Sequence, residues 1–469
     1  MKRPEIISKS ARRRAGSYLL ALVLLAAWAA AVAAPTPCRA AAEIWIKTSS
    51  PWSVTGKDDL QQFKHLASGV SYDFNPLTLT VADLKRIGIQ TIRCTNVEPL
   101  NGKFEADGSF TVIDEGRLDG MLDECRSLGA VPHVIIAQTL HPDLEVKEQD
   151  VSDPSLRQQI REGSYGPTDW TKFRNYYEAY FGYVLITKGF PNAEFEVANE
   201  PEAGGGIYPF PPKPGTGSAA LYEAYFTMYK NIAQAAVSFE QKHPGVRVKL
   251  GGPALVWVFS FTFGDFNWSQ RFLRDCSQQK VKLDFLGLHY YGCFCSLDGE
   301  YGGGSYPPFT QMLWATQGWI DQYCPGLPIE FTEWGPSYFT DNVPAGVVNA
   351  NNVGAAWSAA FLNTLLNCRV DNALFLCSTD GALVGPPGGT TVEGWGWPAL
   401  FLSPWSAGLQ ATYPKPFFHL FDMISRLQGH RVEATRGSAT VNCFVSADPE
   451  QRKITMLVWN YGAVIPEGG

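Results

Sequence analysis

The stretch Asn192-Ala-Glu-Phe-Glu-Val-Ala-Asn-Glu-Pro-Glu202 carries an apolar run that ends in Asn199-Glu200-Pro201 and leads into glycines 204–206. Proline fixes its own φ near −65° and biases the residue before it away from helix, so Glu200 is expected in extended backbone at a strand end. A second stretch, Leu327-Pro-Ile-Glu-Phe-Thr-Glu-Trp-Gly-Pro336, repeats the arrangement 133 positions later (333 − 200) and delivers Glu333 beside an aromatic ring and a Gly-Pro stop. One such carboxylate reads equally well as a solvated strand edge. Two, on separate strand ends of one chain, form the minimal equipment for cleaving a glycosidic bond by double displacement, with one carboxylate attacking and the other moving the proton. Two neighbouring carboxylates read as structural: Glu202 stands beyond its strand, and strand alternation puts Glu330 on the face opposite Glu333.

The elements that must hold these groups alternate between strand and helix after residue 70. Strand signals end at Ser71–Phe74 and recur at Gln90–Thr95, Val131–Ala137, the Glu200 stretch, Val246–Gly252, Leu283–Tyr290, Pro328–Glu333 and Asn372–Cys377. Helical signals fill the gaps at Leu79–Ile87, Asp114–Leu128, Trp170–Lys188, Ala220–Gln241, Trp268–Cys276, Phe309–Tyr323 and Gly354–Asn367, with Phe417–Leu427 closing the series. Eight βα units predict an α/β chain of the (β/α)8 TIM barrel class over residues 69–428. An open doubly wound sheet gives no reason for chemistry at several successive strand ends, and no glycine-rich nucleotide fingerprint follows an early strand. Residues 429–469 read as antiparallel strands of an adjoining β-sandwich, incomplete with only Arg431–Thr435, Ala439–Val445 and Lys453–Trp459. The lead-in 43–68 offers Glu43–Lys47 as a further strand for it. The proline-rich segment 207–215 reads as a stiff loop beside the first carboxylate.

The chain has 469 residues, 18% of them charged, a formal net charge of −7, and 14 Trp, 19 Tyr and 28 Phe. No basic groove or run suggests a nucleic-acid partner, and this balance suits a neutral, sugar-like ligand better than a polyanion. Residues 1–42 read as a signal peptide or signal anchor: Lys2, Arg3 and Arg12–Arg14 precede a charge-free run from Tyr18 to Ala34. That implies a secreted or extracytoplasmic protein, touching a membrane only if the anchor stays uncleaved. Cys38 has no lipobox-like residues before it, so lipidation is not expected. Export permits disulfides among the ten cysteines, including Cys276, Cys324, Cys368 and Cys377, with pairing left open. Cys293-Phe-Cys295 is a poor match to zinc spacing, and no metal or cofactor is expected.

The motifs resemble clan A glycoside hydrolases, and most closely glycoside hydrolase family 39, the group of β-xylosidases, α-L-iduronidases and bacterial exopolysaccharide hydrolases. The resemblance runs from about Gly69 to Tyr461 and rests on Thr91–Arg93, Phe195–Pro201, Gly251–Pro253, Asp284–Tyr291, Pro328–Trp334, Tyr413–Phe417 and Leu457–Asn460. It implies Glu200 as acid/base and Glu333 as nucleophile. It further implies Asn199 on the sugar 2-hydroxyl, Arg93 and Tyr291 orienting the nucleophile, and His289 lining the neighbouring subsite. Trp334, Trp395 and Trp397 are candidate stacking platforms for pyranose rings. Two positions depart from the family pattern: Ala198 stands where members often carry Trp, and Gly287 replaces a small hydroxyl residue. The alternatives are an exported carbohydrate-binding protein with an inactive barrel and a clan A endoglycanase of another family. A protonated Glu200 is expected from desolvation beside apolar walls, and an ionised Glu333 from Arg93.

Overall fold

The computed structural model describes residues 44–461 apart from 55–57, 73–80, 96, 115, most of 148–168, 204–217, 256–266, 293–308, 338–347, 380–396, 403–411 and 437–440. The segment 1–42 with Cys38, the Cys293–Cys295 pair, the loop 207–215 and Trp395 lie outside the described residues. In chain order the elements begin with β1 (Ile44–Pro51), α1 (Asp59–Leu66), β2 (Gly69–Tyr72), α2 (Val81–Ile87) and β3 (Thr91–Cys94). The hairpin β4 (Asn101–Phe104) and β5 (Phe110–Asp114) comes next, then α3 (Gly116–Leu128), β6 (Val131–Ile136), α4 (Trp170–Gly182), β7 (Glu194–Val197), α5 (Ser218–Lys242) and β8 (Lys249–Leu255). The series continues with α6 (Trp268–Gln279), β9 (Phe285–Tyr291), α7 (Phe309–Tyr323), β10 (Ile329–Gly335), α8 (Asn352–Asn367) and β11 (Asn372–Phe375). The last elements are β12 (Cys377–Thr379), β13 (Ala399–Leu402), β14 (Tyr413–Pro414), α9 (Pro416–Ser425), β15 (His430–Arg436), β16 (Val441–Asp448) and β17 (Lys453–Asn460).

Strands β2, β3, β6, β7, β8, β9, β10 and β11 close a parallel barrel in sequence order, each followed by one of the helices α2 to α9. Asp58, Asp169, Asn267 and Asn351 start α1, α4, α6 and α8 by accepting backbone N–H bonds, as short polar N-caps do. Period-two alternation then sorts the strands. On β7, Phe195 turns outward onto Tyr180 and Phe181 of α4, while Glu194 and Glu196 turn inward. On β9, Tyr290 packs outward against Phe309 and Phe361, and His289 and Tyr291 serve the interior.

Alternation breaks on two barrel strands: on β8, whose register against β9 slips between Pro253 and Leu255, and on β10. Register against β9 slips between Phe331 and Glu333, so Thr332 is an extra residue in a β-bulge. Glu330 and Glu333 therefore both face the interior, where unbroken alternation put them on opposite faces. Phe331 and Trp334 face the helices.

Outside the barrel, β1, β15, β16 and β17 form one four-stranded sheet. The expected β-sandwich is a single sheet among the described residues, and the lead-in strand does join it, through β1 on β15. This sheet sits on α1. Phe444 stacks on Phe63 with centroids 4.3 Å apart, and Arg431 donates to buried Asp59 at 2.7 Å. The helix in turn binds the barrel, with Gln62 donating to the carbonyls of Val370 and Asp371 at 3.0 Å. No disulfide joins any pair of Cys94, Cys125, Cys276, Cys324, Cys368, Cys377 and Cys443, so the expected disulfides are absent among the described residues. Most are buried and act as small apolar fillers of the core.

Candidate active site

Three strand ends bring the candidate carboxylates together. Glu333 ends the interior face of β10, and its strand neighbour in register is His289 on β9. Glu200 follows β7 with φ of +50°, in the left-handed region, where Pro201 had predicted extended backbone. Its N–H donates to the Ala254 carbonyl at 2.9 Å, and the Ala198 N–H donates to Ile136 O at 2.7 Å. Those cross-strand bonds hold a turn that local preference disfavours by about 1–3 kcal/mol. Ala137, Ala198 and Ala254, at the ends of β6, β7 and β8, are left-handed as well, so backbone strain gathers at the mouth.

Arg93, fully buried on β3, organises the floor. Its Nη1 donates to Glu333 Oε1 at 2.5 Å, Nη2 to Asn199 Oδ1 at 2.7 Å and Nε to Glu196 Oε2 at 2.8 Å. The Tyr291 hydroxyl donates to the other oxygen of Glu333 at 2.7 Å. Burial would push the Glu333 carboxyl up, but the His289 and Arg93 charges and the Tyr291 hydrogen bond together hold it below the usual carboxylate range. Burial and the neighbouring carboxylates push Tyr291 far up, so it stays a donor.

His289 lies between the two acids: Nδ1 is 2.9 Å from Glu200 Oε1 and 3.5 Å from Glu333 Oε2. One oxygen each of Glu200 and Glu333 and a nitrogen of His289 all lie within 4.8 Å of one another. The Glu200 side chain is 22% exposed and bonded to this imidazole, so apolar walls do not define its surroundings. Glu202 lies buried in a short turn after Pro201.

The structure thus gathers Arg93, Asn199, Glu200, His289, Tyr291 and Glu333 and excludes Trp334. That ring is fully buried against Phe361 and Phe375 on the helix side, one residue past the inward Glu333. Trp397, half-buried against Tyr291, Leu376 and Cys377, is the stacking candidate that remains among the described residues.

Sequence reasoning missed a second charged group below the first. His133 Nδ1 lies 2.9 Å from Glu194 Oε2 and Nε2 lies 3.5 Å from Glu196 Oε2, while Lys249 Nζ contacts Glu194 and, at 3.0 Å, Glu330. His133, Glu194 and Glu330 have donor atoms within 4.8 Å of one another, but the Lys249 ammonium already lies against both carboxylates, so the group reads as an ion-paired cluster. The available signal was polar residues at alternate positions inside apolar strands.

No protein-family profile matches the chain, and no curated protein matches its sequence. Solved structures do resemble it. A GH39 enzyme from Xanthomonas axonopodis pv. citri aligns with TM-score 0.60 and 20% identity over 91% of this chain and 76% of that one. A GH39 β-xylosidase from Caulobacter crescentus gives 0.53 and 21% over 82% and 76%, and a glucosidase from Croceicoccus marinus 0.58 and 17% over 90% and 78%. At these identities the likeness speaks for the fold, a (β/α)8 barrel with an attached sheet. Two of these three neighbours are GH39 enzymes.

Proposed function

We propose that the protein is a retaining O-glycosyl hydrolase, with Glu333 as nucleophile and Glu200 as general acid/base. The observation that carries this reading is the approach of the two carboxylates to within 4.8 Å. Retaining enzymes hold theirs about 5–5.5 Å apart, whereas inverting enzymes need about 6.5–9.5 Å to admit a water. Glu333, kept ionised by Arg93, Tyr291 and His289, attacks the anomeric carbon as the bond to the leaving oxygen breaks and that oxygen takes the Glu200 proton. Glu200 then takes a proton from water, whose oxygen attacks the same carbon and releases Glu333. Asn199 accepts from Arg93 through Oδ1, which leaves its NH2 to donate to a sugar hydroxyl.

The xylosidase and glucosidase among the structural neighbours suggest starting a substrate panel with aryl β-xylosides and aryl glucosides, followed by polysaccharides. Glu333→Ala should lose several orders of magnitude in rate with every leaving group. Glu200→Ala should keep glycosylation by activated aryl glycosides, with turnover restored by azide and, for a β-glycosidase, a β-glycosyl azide as product. Product NMR reads the configuration, and an inverted first-formed product rejects double displacement. Sugar binding without any hydrolysis would favour the inactive-barrel reading. The basic and apolar start of the chain supports action outside the cytoplasm. Cell fractionation that finds full-length protein in the cytosol would refute that.

A further inference from the structure

Barrels of this class usually fill their interior with bulky aliphatic layers. Here the filling beneath Glu333 is a set of linked ion pairs drawn from several strands. Lys249 on β8 meets Glu194 of β7 and Glu330 of β10; His133 on β6 bridges Glu194 and Glu196; Glu196 holds Arg93; and Arg93 reaches Glu333. Glu196 has no path to a ligand, being fully buried. It nevertheless engages Arg93 on the Nε edge and, at 2.8 Å, at Nη2.

We propose that Glu196 is a positioning residue for the nucleophile: it fixes the plane of the Arg93 guanidinium and, with His133 as counterweight, sets how much of that positive charge reaches Glu333. The inference rests on the reading of Glu333 as nucleophile. A guanidinium is a rigid planar fork, so binding one edge determines where the others point. The charged groups around Glu196 are Arg93 from β3, His133 from β6 and His289 from β9. The titratable groups around Glu333 are Arg93, His289, Glu200 and the Tyr291 hydroxyl. Burial opposes ionisation of Glu196, but Arg93 and His133 outweigh it and hold its carboxyl at about 2. Burial likewise opposes protonation of His133, yet Glu194 and Glu196 raise it to about 9, so both charges persist through neutral pH.

The signs are opposite for the two residues. Removing the Glu196 charge frees Arg93 to act on Glu333 and lowers the pH at which Glu333 protonates; removing the His133 charge raises it. The test compares Glu196→Gln, His133→Asn and the charge-preserving Glu196→Asp with wild type. It measures the acid limb of kcat/KM on an aryl glycoside, and titrates Glu333 directly by carboxyl 13C NMR, assigned with Glu333→Gln. Expected are a downward displacement of about one pH unit in Glu196→Gln and a smaller upward one in His133→Asn. Glu196→Asp should keep the wild-type limb with a reduced kcat. Limbs that stay in place, or move in the same direction in both charge-removing variants, overturn the proposal. Should Glu196→Gln fail to fold, an unmoved limb in His133→Asn is sufficient to do so. If wild type cleaves no glycoside, the NMR titration still decides the charge coupling, and it is the proposed function that falls.

Discussion

A side chain at position 287 would collide with the floor of the site: a Cβ there would lie 2.2 Å from Glu196 Oε1 and 3.4 Å from the backbone nitrogen of Ala254. Gly287→Val should therefore displace the Glu196 carboxylate and cost about 1–3 kcal/mol, read by urea denaturation, with a larger relative loss in kcat than in KM. This ties one departure from the family pattern to a physical partner. Glu200 and Glu333 were legible as carboxylates closing apolar strands, where a barrel exposes its chemistry, whereas Arg93, Asn199, His289 and Tyr291 came only from the family resemblance. Trp334 was misread although alternation from Glu333 already turned it outward. Glu196 and His133 were passed over because a polar residue inside an apolar strand was counted as part of the run. Only the folded barrel shows that such positions meet inside it.

Among the elements, the eight βα repeats were readable from the switch between period two and helical period, and β1 was correctly assigned to the terminal sheet. The bulge at Thr332 was not readable, since an inserted residue leaves no mark on composition and reveals itself only as slipped register. The β4–β5 hairpin and the short β12–β14 sheet were missed as well; β4 is largely exposed, and β14 has only two residues. How the terminal sheet is fastened follows from aromatic geometry. Phe444→Ala removes the stack on Phe63, so it should cost about 3–5 kcal/mol. Limited proteolysis should then release the β15–β17 segment before the barrel is cut.

Over the whole molecule, the buried charges predict how stability varies with pH. His133 is raised from 6.5 to about 9, so its contribution is complete below about 6.5 and is lost as pH rises through 9. Glu194 and Glu196 are lowered from 4.5 to about 2; what they contribute is present above 4.5 and is lost as pH falls through 2. Glu330 behaves in the opposite sense: burial and the Glu194 charge raise it to about 7, and its ionisation draws stability away as pH climbs from 4.5 through 7. Thermal unfolding followed across pH should give a maximum near pH 4.5, with a decline that continues to pH 9. His133→Asn should flatten the upper part of that decline. A curve that rises steadily to pH 9 would contradict these assignments.

Pairing of β1 with β15 also fixes an order of events. Ile44 lies opposite Arg436, 392 residues later (436 − 44). At ordinary synthesis speeds, a strand made early waits roughly 20–80 s for its partner to leave the ribosome. Throughout that interval the β1 edge and the Phe63 ring have no terminal sheet to meet. The first strand of the terminal sheet to be made is thus among the last to be secured, and a chaperone acting on this chain would find a long-lived target in β1.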